Sequence, residues 1–445
     1  MKPIPTVLAG LAVALARPAP AAPAAEPPTL TLPEALQELA AHGPAAAQAS
    51  ARAEQASALV RQAAAPLLPS LTATGSYVRN SDELIFQKLD AASIRRLALG
   101  QPVQPESIAM QPLEAFSAAG TLRVPLVVPT SWADLAAARH GAAAARAGAD
   151  GALLGLRLAL VQGAWLAEGA EETAAAAERA LSNARDLAES AGRGVRAGLQ
   201  PPLAALQAET QAVRRESDLV RARAAVEQTR LALGVLLGRS GPVRIALPAP
   251  PAPAPAGDDA AALAAEALGR RPEVRAQEEL REVAGRQLTS ARLRWLPQLS
   301  ASGSAFAQDV PYPTGKREGW RVSVDLTWPL YDGGFRYGKR QEAEAQLAGA
   351  SAGAEAQRLA VFQEVEDAAR DRRVSAERLR LAEKQRAVAA DAAATARRGF
   401  DAGTTGHVDV LSAADELFQA EVAVADARAR LGAAGAALDR AAGRL

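Results

Sequence analysis

Two stretches near residue 300 alternate between apolar and polar side chains. In residues 298–308, Leu299, Ala301, Gly303, Ala305 and Ala307 alternate with Ser300, Ser302 and Ser304. In residues 319–328, Trp320, Val322, Val324, Leu326 and Trp328 alternate with Arg321, Ser323, Asp325 and Thr327. A period of two sustained this long predicts a pair of β-strands with sharply contrasted faces. An earlier pair repeats the pattern: Leu71, Ala73 and Tyr77 on one strand, then Leu122, Val124 and Leu126 opposite Thr121 and Arg123 on the next.

Most of the remaining chain reads as helix. Residues 131–195 and 338–398 lack proline and are dominated by Ala, Leu, Arg, Glu and Gln, all good helix formers. At ~1.5 Å per residue, each would be a rod on the order of 90–100 Å long. Each rod breaks at a glycine-rich turn, GRGVRAGLQPP or RRGFDAGTTGH, where Gly198 and Gly403 supply the positive φ that reverses the chain. A second helix then returns. The last one spaces Val410, Leu417, Val424, Leu431 and Leu438 by seven, with Ala413, Ala420, Ala427, Ala434 and Ala441 three positions after each. A heptad of large residues alternating with alanine predicts a coiled-coil seam in which backbones approach closely.

The elements come twice. Pro44 and Pro272 differ by 228 positions, as do Pro69 and Pro297, whereas Pro125 and Pro329 differ by 204. RGVRAG (193–198) matches RGFDAG (398–403), and LLGR matches AAGR, both at a separation of 205. The chain is therefore read as a tandem duplication. The first repeat spans 26–240, with a helix, a β-hairpin at 70–128 and a helical hairpin at 130–238. The second spans 260–445, with a helix, a β-hairpin at 298–329 and a helical hairpin at 331–443. A proline-rich linker (241–259) joins them, since prolines favour extended backbone. The fall in spacing leaves 24 extra residues in the first hairpin, between Ser81 and Phe116. Leu84, Ile85, Leu89, Ile94 and Leu97 predict a short helix within them.

Composition narrows the setting. The 445 residues carry a formal net charge of +1 and no block of like charge, so there is no footprint for a nucleic-acid partner. There is no cysteine, which removes disulfides, thiolate metal sites, a cysteine nucleophile and a cysteine-borne lipid anchor from consideration. His42, His140 and His407 are scattered without helical-spacing partners. They read as surface or locally bonded imidazoles rather than metal ligands. Residues 1–25 read as an export signal, with Lys2, an apolar run from Val7 to Ala16 and small residues from Ala19 to Ala25. No other stretch reaches ~18 consecutive apolar residues, so no membrane-spanning helix is expected.

Export changes the meaning of the strands. Trp320 and Trp328 share a face and stand about 27 Å apart at ~3.4 Å per residue. That spacing approximates the ~25 Å apolar band, flanked by aromatic girdles, of outer-membrane barrels. A soluble β-sandwich with a core tryptophan is the plainer reading of one such strand. Four strands in an exported chain are too few to build a sandwich. Four strands also cannot close around an opening, and open sheet edges are not tolerated in lipid. The strands must therefore join those of other copies. Three copies give twelve strands, a lipid-facing belt at Trp320 and Trp328, and a lumen lined by Arg123, Arg321, Asp325 and the Ser/Thr set. The fold class expected is mainly α with a small transmembrane β part: coiled-coil hairpins forming an α-barrel, plus four strands per protomer in a trimeric 12-stranded β-barrel.

Over essentially its whole mature length the chain resembles the TolC-type outer-membrane efflux proteins. The resemblance rests on LTLPEALQEL, LLPSL and WLPQL, PLYDGGFRYGKRQEAEAQ, and RRGFDAGTTGHVDVLSAADELFQAEVAVADARARL, in order and duplicated. It implies a homotrimeric channel-tunnel crossing the outer membrane and periplasm. A periplasmic adaptor and an inner-membrane pump dock at its helical tip, and substrates pass without chemistry or cofactor. The tips would be the two turns carrying Arg193, Gly198, Arg398, Phe400, Gly403 and Thr405. Asp409 falls on a family acidic-ring position, which would favour cations; it could equally complement the positive end of its helix. Ser412 replaces a second acidic position, and Thr405 stands where some members carry a latching arginine. Arg193 and Arg398 also fit as solvated charges at helix C-termini. The excess in the first hairpin is expected outside the cell, folded over the exit. Rival readings are a periplasmic adaptor, which usually has a single hairpin, and an exported structural coiled coil, which needs no tryptophan-framed strands. No nucleophile–base pair, metal cluster or phosphate loop supports an enzyme.

Overall fold

The computed structural model describes residues 28–88, 91–103, 106–198, 200–248, 260–310 and 316–445. The export signal and residues 249–259 of the linker lie outside the described residues. In chain order the elements of the first repeat are β1 (Thr29–Thr31), α1 (Leu32–His42), α2 (Pro44–Ala64), β2 (Ser70–Arg79), β3 (Leu84–Lys88), α3 (Ala91–Ala98), β4 (Glu106–Gln111), β5 (Glu114–Val127), α4 (Pro129–Arg196) and α5 (Pro202–Leu236). Then follow β6 (Arg244–Ala246), α6 (Ala260–Arg270), α7 (Pro272–Leu293), β7 (Gln298–Gln308), β8 (Glu318–Thr327), α8 (Phe335–Asp401) and α9 (His407–Ala441).

Proline opens α2, α4, α5 and α7. Its missing N–H costs nothing at a first turn, where that donor has no intrahelical partner. The rods α4 and α8 are 68 and 67 residues long. Toward the strands, α4 packs between α2 and α7, and α7 packs against α8. Toward the far end, α4 packs between α5 and α9, and α9 packs against α8. Each repeat thus supplies one continuous rod and one rod in two pieces, giving a curved wall of helices. Its flanks are α2 and α5 on one side and α8 on the other.

Alanine and glycine let the rods approach. At the α4–α9 contact, Trp165 is buried in a cluster with Val161 and Ala436. A Cβ placed on Gly432 would come within 2.2 Å of the Trp165 ring. The α9 seam buries Val410, Val424, Leu431 and Leu438 together with Ala420, Ala427 and Ala441. Ala413, Leu417 and Ala434 of the expected seam are half-buried, and beside Leu417 it is Phe418 that turns inward beneath the Arg215 guanidinium, 4.4 Å from its ring centre.

Two ion pairs occupy matching positions in the two halves of the chain. Arg239 grips Glu38 with two bonds of 2.5 and 2.7 Å. Arg444, 205 positions on, grips Glu266, 228 positions on, at 3.2 and 2.6 Å. Hydrogen bonding from Arg444, with Arg270 nearby, holds the Glu266 carboxyl below its ordinary pKa.

The insert in the first hairpin differs from expectation. Ile94 and Leu97 do lie on a helix, α3, but Leu84 and Ile85 belong to strand β3, paired antiparallel with β4. Leu89 lies outside the described residues. The run Leu84–Phe86 contains a β-branched and an aromatic residue and pairs with Gln111, Ala109 and Ile108 of β4; periodicity alone does not separate short apolar strands from helices.

Candidate functional site

The antiparallel sheet β2-β5-β7-β8 carries the first part of the site. Its register aligns Ser70, Arg123, Ser302 and Ser323 in one row and Thr72, Thr121, Ser304 and Arg321 in the next. Asp325 lies opposite Ser300. Directly paired residues share a face, so Arg123, Arg321 and Asp325 share one polar face. The Ser302 and Ser323 hydroxyls meet at 2.8 Å, and Ser323 donates to the Asp325 carboxylate at 2.9 Å.

The opposite face holds Leu71, Leu122, Gly303 and Val322 in one row, and Ala73, Gly120, Ala305 and Trp320 in another. These apolar side chains are uncovered: Leu71 and Trp320 are each 78% exposed. Each large side chain left in water forgoes about 1.5–3 kcal/mol of burial. Such a face suits hydrocarbon. The edge strands β2 and β8 leave a row of backbone groups without a partner in the sheet, and each costs several kcal/mol in lipid.

Trp328 lies just beyond β8, its indole N–H donating to the Trp295 carbonyl at 3.1 Å. This begins the strand-to-rod junction. The buried Arg336 guanidinium stacks 4.3 Å from the Trp295 ring, donates to Asp332 at 2.7 Å, and bonds the Leu330 carbonyl at 3.2 Å. Gly333 and Gly334, at φ 67° and 89°, supply the bend.

The second part is the far end of the rods, where both helical turns are built alike. Gly198 and Gly403 have φ of 72° and 75°. Ala197 and Gly198 donate to the carbonyls of Arg193 and Val195; Ala402 and Gly403 donate to those of Arg398 and Phe400. Arg193 pairs with Glu189 at 2.8 Å, and Arg398 reaches the Thr395 hydroxyl at 3.3 Å. The Phe400 and His407 rings are 5.8 Å apart. Thr405 is half-buried and its N–H bonds the Gly399 carbonyl at 3.2 Å. A Cβ on Gly399 would sit 2.1 Å from the Thr405 hydroxyl. Asp409 lies in the first turn of α9, exposed. Burial lowers the pKa of His407, whose two ring nitrogens have no hydrogen-bond partner among the described residues. Of the other histidines, His140 bonds Glu279 at 2.7 Å and His42 lies in the last turn of α1.

Sequence reasoning passed over one cluster near this end. Arg215, buried on α5, pairs with Asp218 at 2.8 Å and with Asp415 of α9, which also accepts from Gln211. It ties one repeat to the other. The available signal was a glutamine and an arginine, Gln211 and Arg215, on a stripe whose other members Ala208, Leu219 and Ala222 are small or apolar. No group of three or more potential metal ligands and no helix apolar enough to cross a membrane occurs among the described residues.

A sheet greasy on one side, polar on the other and open at both edges, mounted on long helical rods, defines the protomer of an outer-membrane barrel protein. The chain belongs to the outer membrane efflux protein family, whose model matches residues 35–239 and 263–444. It is 30% identical over 210 residues to outer membrane protein OprJ of Pseudomonas aeruginosa, a match spanning 45% of this chain and 43% of OprJ. Its fold is similar to the outer membrane protein VceC from Vibrio cholerae (TM-score 0.73, 19% identity, covering 93% of this chain and 96% of VceC). It is similar also to the CmeC outer membrane channel of Campylobacter jejuni (0.76, 17%, 93% and 85%). The MtrE outer membrane channel of Neisseria gonorrhoeae matches comparably (0.73, 21%, 93% and 88%). The fold is that of these channels, an α-helical tunnel portion joined to a β-barrel portion.

Proposed function

We propose that three copies of the chain form an outer-membrane channel-tunnel, the passive exit duct of a tripartite efflux or type I secretion system. The observation that carries this reading is the open-edged sheet. Its apolar face needs lipid, its polar face needs water, and its two edges need strands from sister copies.

Twelve strands would close a lumen lined by Arg123, Arg321 and Asp325, with Trp320 and Trp328 in the lipid-facing belt. The rods would continue that duct through the periplasm, toward a periplasmic adaptor and an inner-membrane pump. Arg193, Arg398 and Phe400 would belong to the docking surface at the tip, and Gly198 and Gly403 would set its shape. Three Asp409 carboxylates would ring the entrance and favour cations. Thr405, bonded to its own turn, leaves the latch position without a charge. The chain would perform no catalysis; its work is to bound a water-filled path. In this reading the two repeats, 26–240 and 260–445, are quasi-equivalent sectors of one wall, joined by the 241–259 linker.

Planar-bilayer recording on protein extracted from outer membranes tests the reading. Discrete conductance steps from a heat-modifiable trimer are expected. Protein found only as a soluble periplasmic species, without conductance, would contradict it.

A further inference from the structure

We infer that helix α3, in the insert of the first hairpin, docks on the outer leaflet beside the barrel and binds the phosphate groups of lipid headgroups there. This rests on the outer-membrane channel reading above, with the insert on the side opposite the rods.

The order of side chains along the first hairpin places α3 at that depth. On the apolar face of the sheet, the last large side chains are Tyr77 and Phe116, directly paired with ring centres 4.8 Å apart. An aromatic pair at this point fits the girdle between hydrocarbon and headgroups. Two residues further on the same face, Arg79 meets Glu114 at 3.5 Å, the first charges beyond the apolar band. The ribbon β3–β4 then continues the hairpin. It is tied on by the Asn80 backbone N–H, bonded to the Leu113 carbonyl at 2.8 Å, and by the Asn80 side chain, bonded to the Pro112 carbonyl at 2.7 Å. An irregularity in register between Leu84 and Ile85 lets the ribbon bend at its base.

Helix α3 is complete in itself, yet no residue of it is buried. Gly100, at φ 69°, closes it, and the Gly100 and Gln101 N–H groups bond the carbonyls of Leu97 and Arg96. At 3.6 residues per turn, Ile94 and Leu97 form one side, with Arg95 and Arg96 each about 130° round from its midpoint, on opposite flanks. Ile94 and Leu97 are 56% and 60% exposed. Within residues 84–111 the two acidic residues, Asp90 and Glu106, lie outside the helix, so α3 is purely cationic. A short apolar side between two arginines is the form of a helix that lies in a membrane interface. The apolar pair enters the leaflet, while the arginine stems carry their guanidinium groups to phosphate level. Over a water-filled exit, the same apolar pair would stay in water.

The parent chain has no cysteine, so I94C offers a single site for an environment-sensitive fluorophore. The labelled full chain is reconstituted into phosphatidylcholine vesicles with or without lipid A, and read against a nitroxide-bearing lipid and aqueous iodide. With lipid A, blue-shifted emission, quenching by the nitroxide and several-fold protection from iodide are expected. Most of that protection should be lost without lipid A, and likewise in I94C/R95Q/R96Q, whose two arginine sites are exposed and carry no part of the fold. A label open to iodide and indifferent to the nitroxide in lipid A vesicles would overturn the docking and leave the insert in water. Bilayer contact that survives R95Q/R96Q unchanged would overturn the phosphate recognition. Conductance steps from the same vesicles fused to a planar bilayer show that the barrel is inserted; their absence would instead overturn the channel reading beneath the inference.

Discussion

Asp409 and His407 stand two residues apart at the start of α9, and they answer different questions. If Asp409 rings the entrance, D409N should bring the cation-to-anion permeability ratio close to unity, read from the reversal potential in a salt gradient. An unchanged ratio would leave Asp409 as a helix N-terminal charge only. His407 predicts a pH effect. Its folded pKa is depressed by burial below the ordinary 6.5, so the unfolded turn takes up a proton first as pH falls. Above about 6.5 both states are neutral and the residue is silent. Below that, the folded turn loses stability until its own pKa is passed. Hydrogen exchange across residues 399–411 should accelerate between neutral and mildly acidic pH, and H407Q should flatten the response. Equal pH sensitivity in H407Q would refute the assignment.

At the scale of elements, the rods and strands were legible because their signals are local. Alternation over Trp320–Trp328 and heptads over Val410–Leu438 need only neighbouring residues to show. The junctions were less legible. Phe418 rather than Leu417 turns inward, beneath Arg215, one of whose two carboxylate partners, Asp415, is 200 positions away. No local period announces that pair. R215A should remove the cation that joins Asp218 to Asp415, leaving Asp218 to Arg221 alone, and destabilise the fold by about 1–3 kcal/mol, measurable as a lowered thermal midpoint. No change would mean that the cluster is ornamental. Close helix contact gives a second prediction. G432A forces a methyl group into the Trp165 ring, so a loss of about 1–3 kcal/mol is expected. Alanine at Gly285, which has open space around it, should be tolerated.

Across the whole molecule, two consequences follow from how the wall is built. The insert β3–α3–β4 places Leu84, Ile85, Phe86, Ile94 and Leu97 in exposed positions. If it folds over the exit, deleting residues 84–111 should raise single-channel conductance, and an unchanged value would refute that placement. The larger consequence was readable from four strands and their number. Among the described residues no further strand completes the sheet, and β2 and β8 are its edges. The most direct measurement is the copy number of the particle extracted from outer membranes, by native mass spectrometry. Three chains per particle are predicted, and a monomer recovered only from the soluble periplasmic fraction would contradict the account.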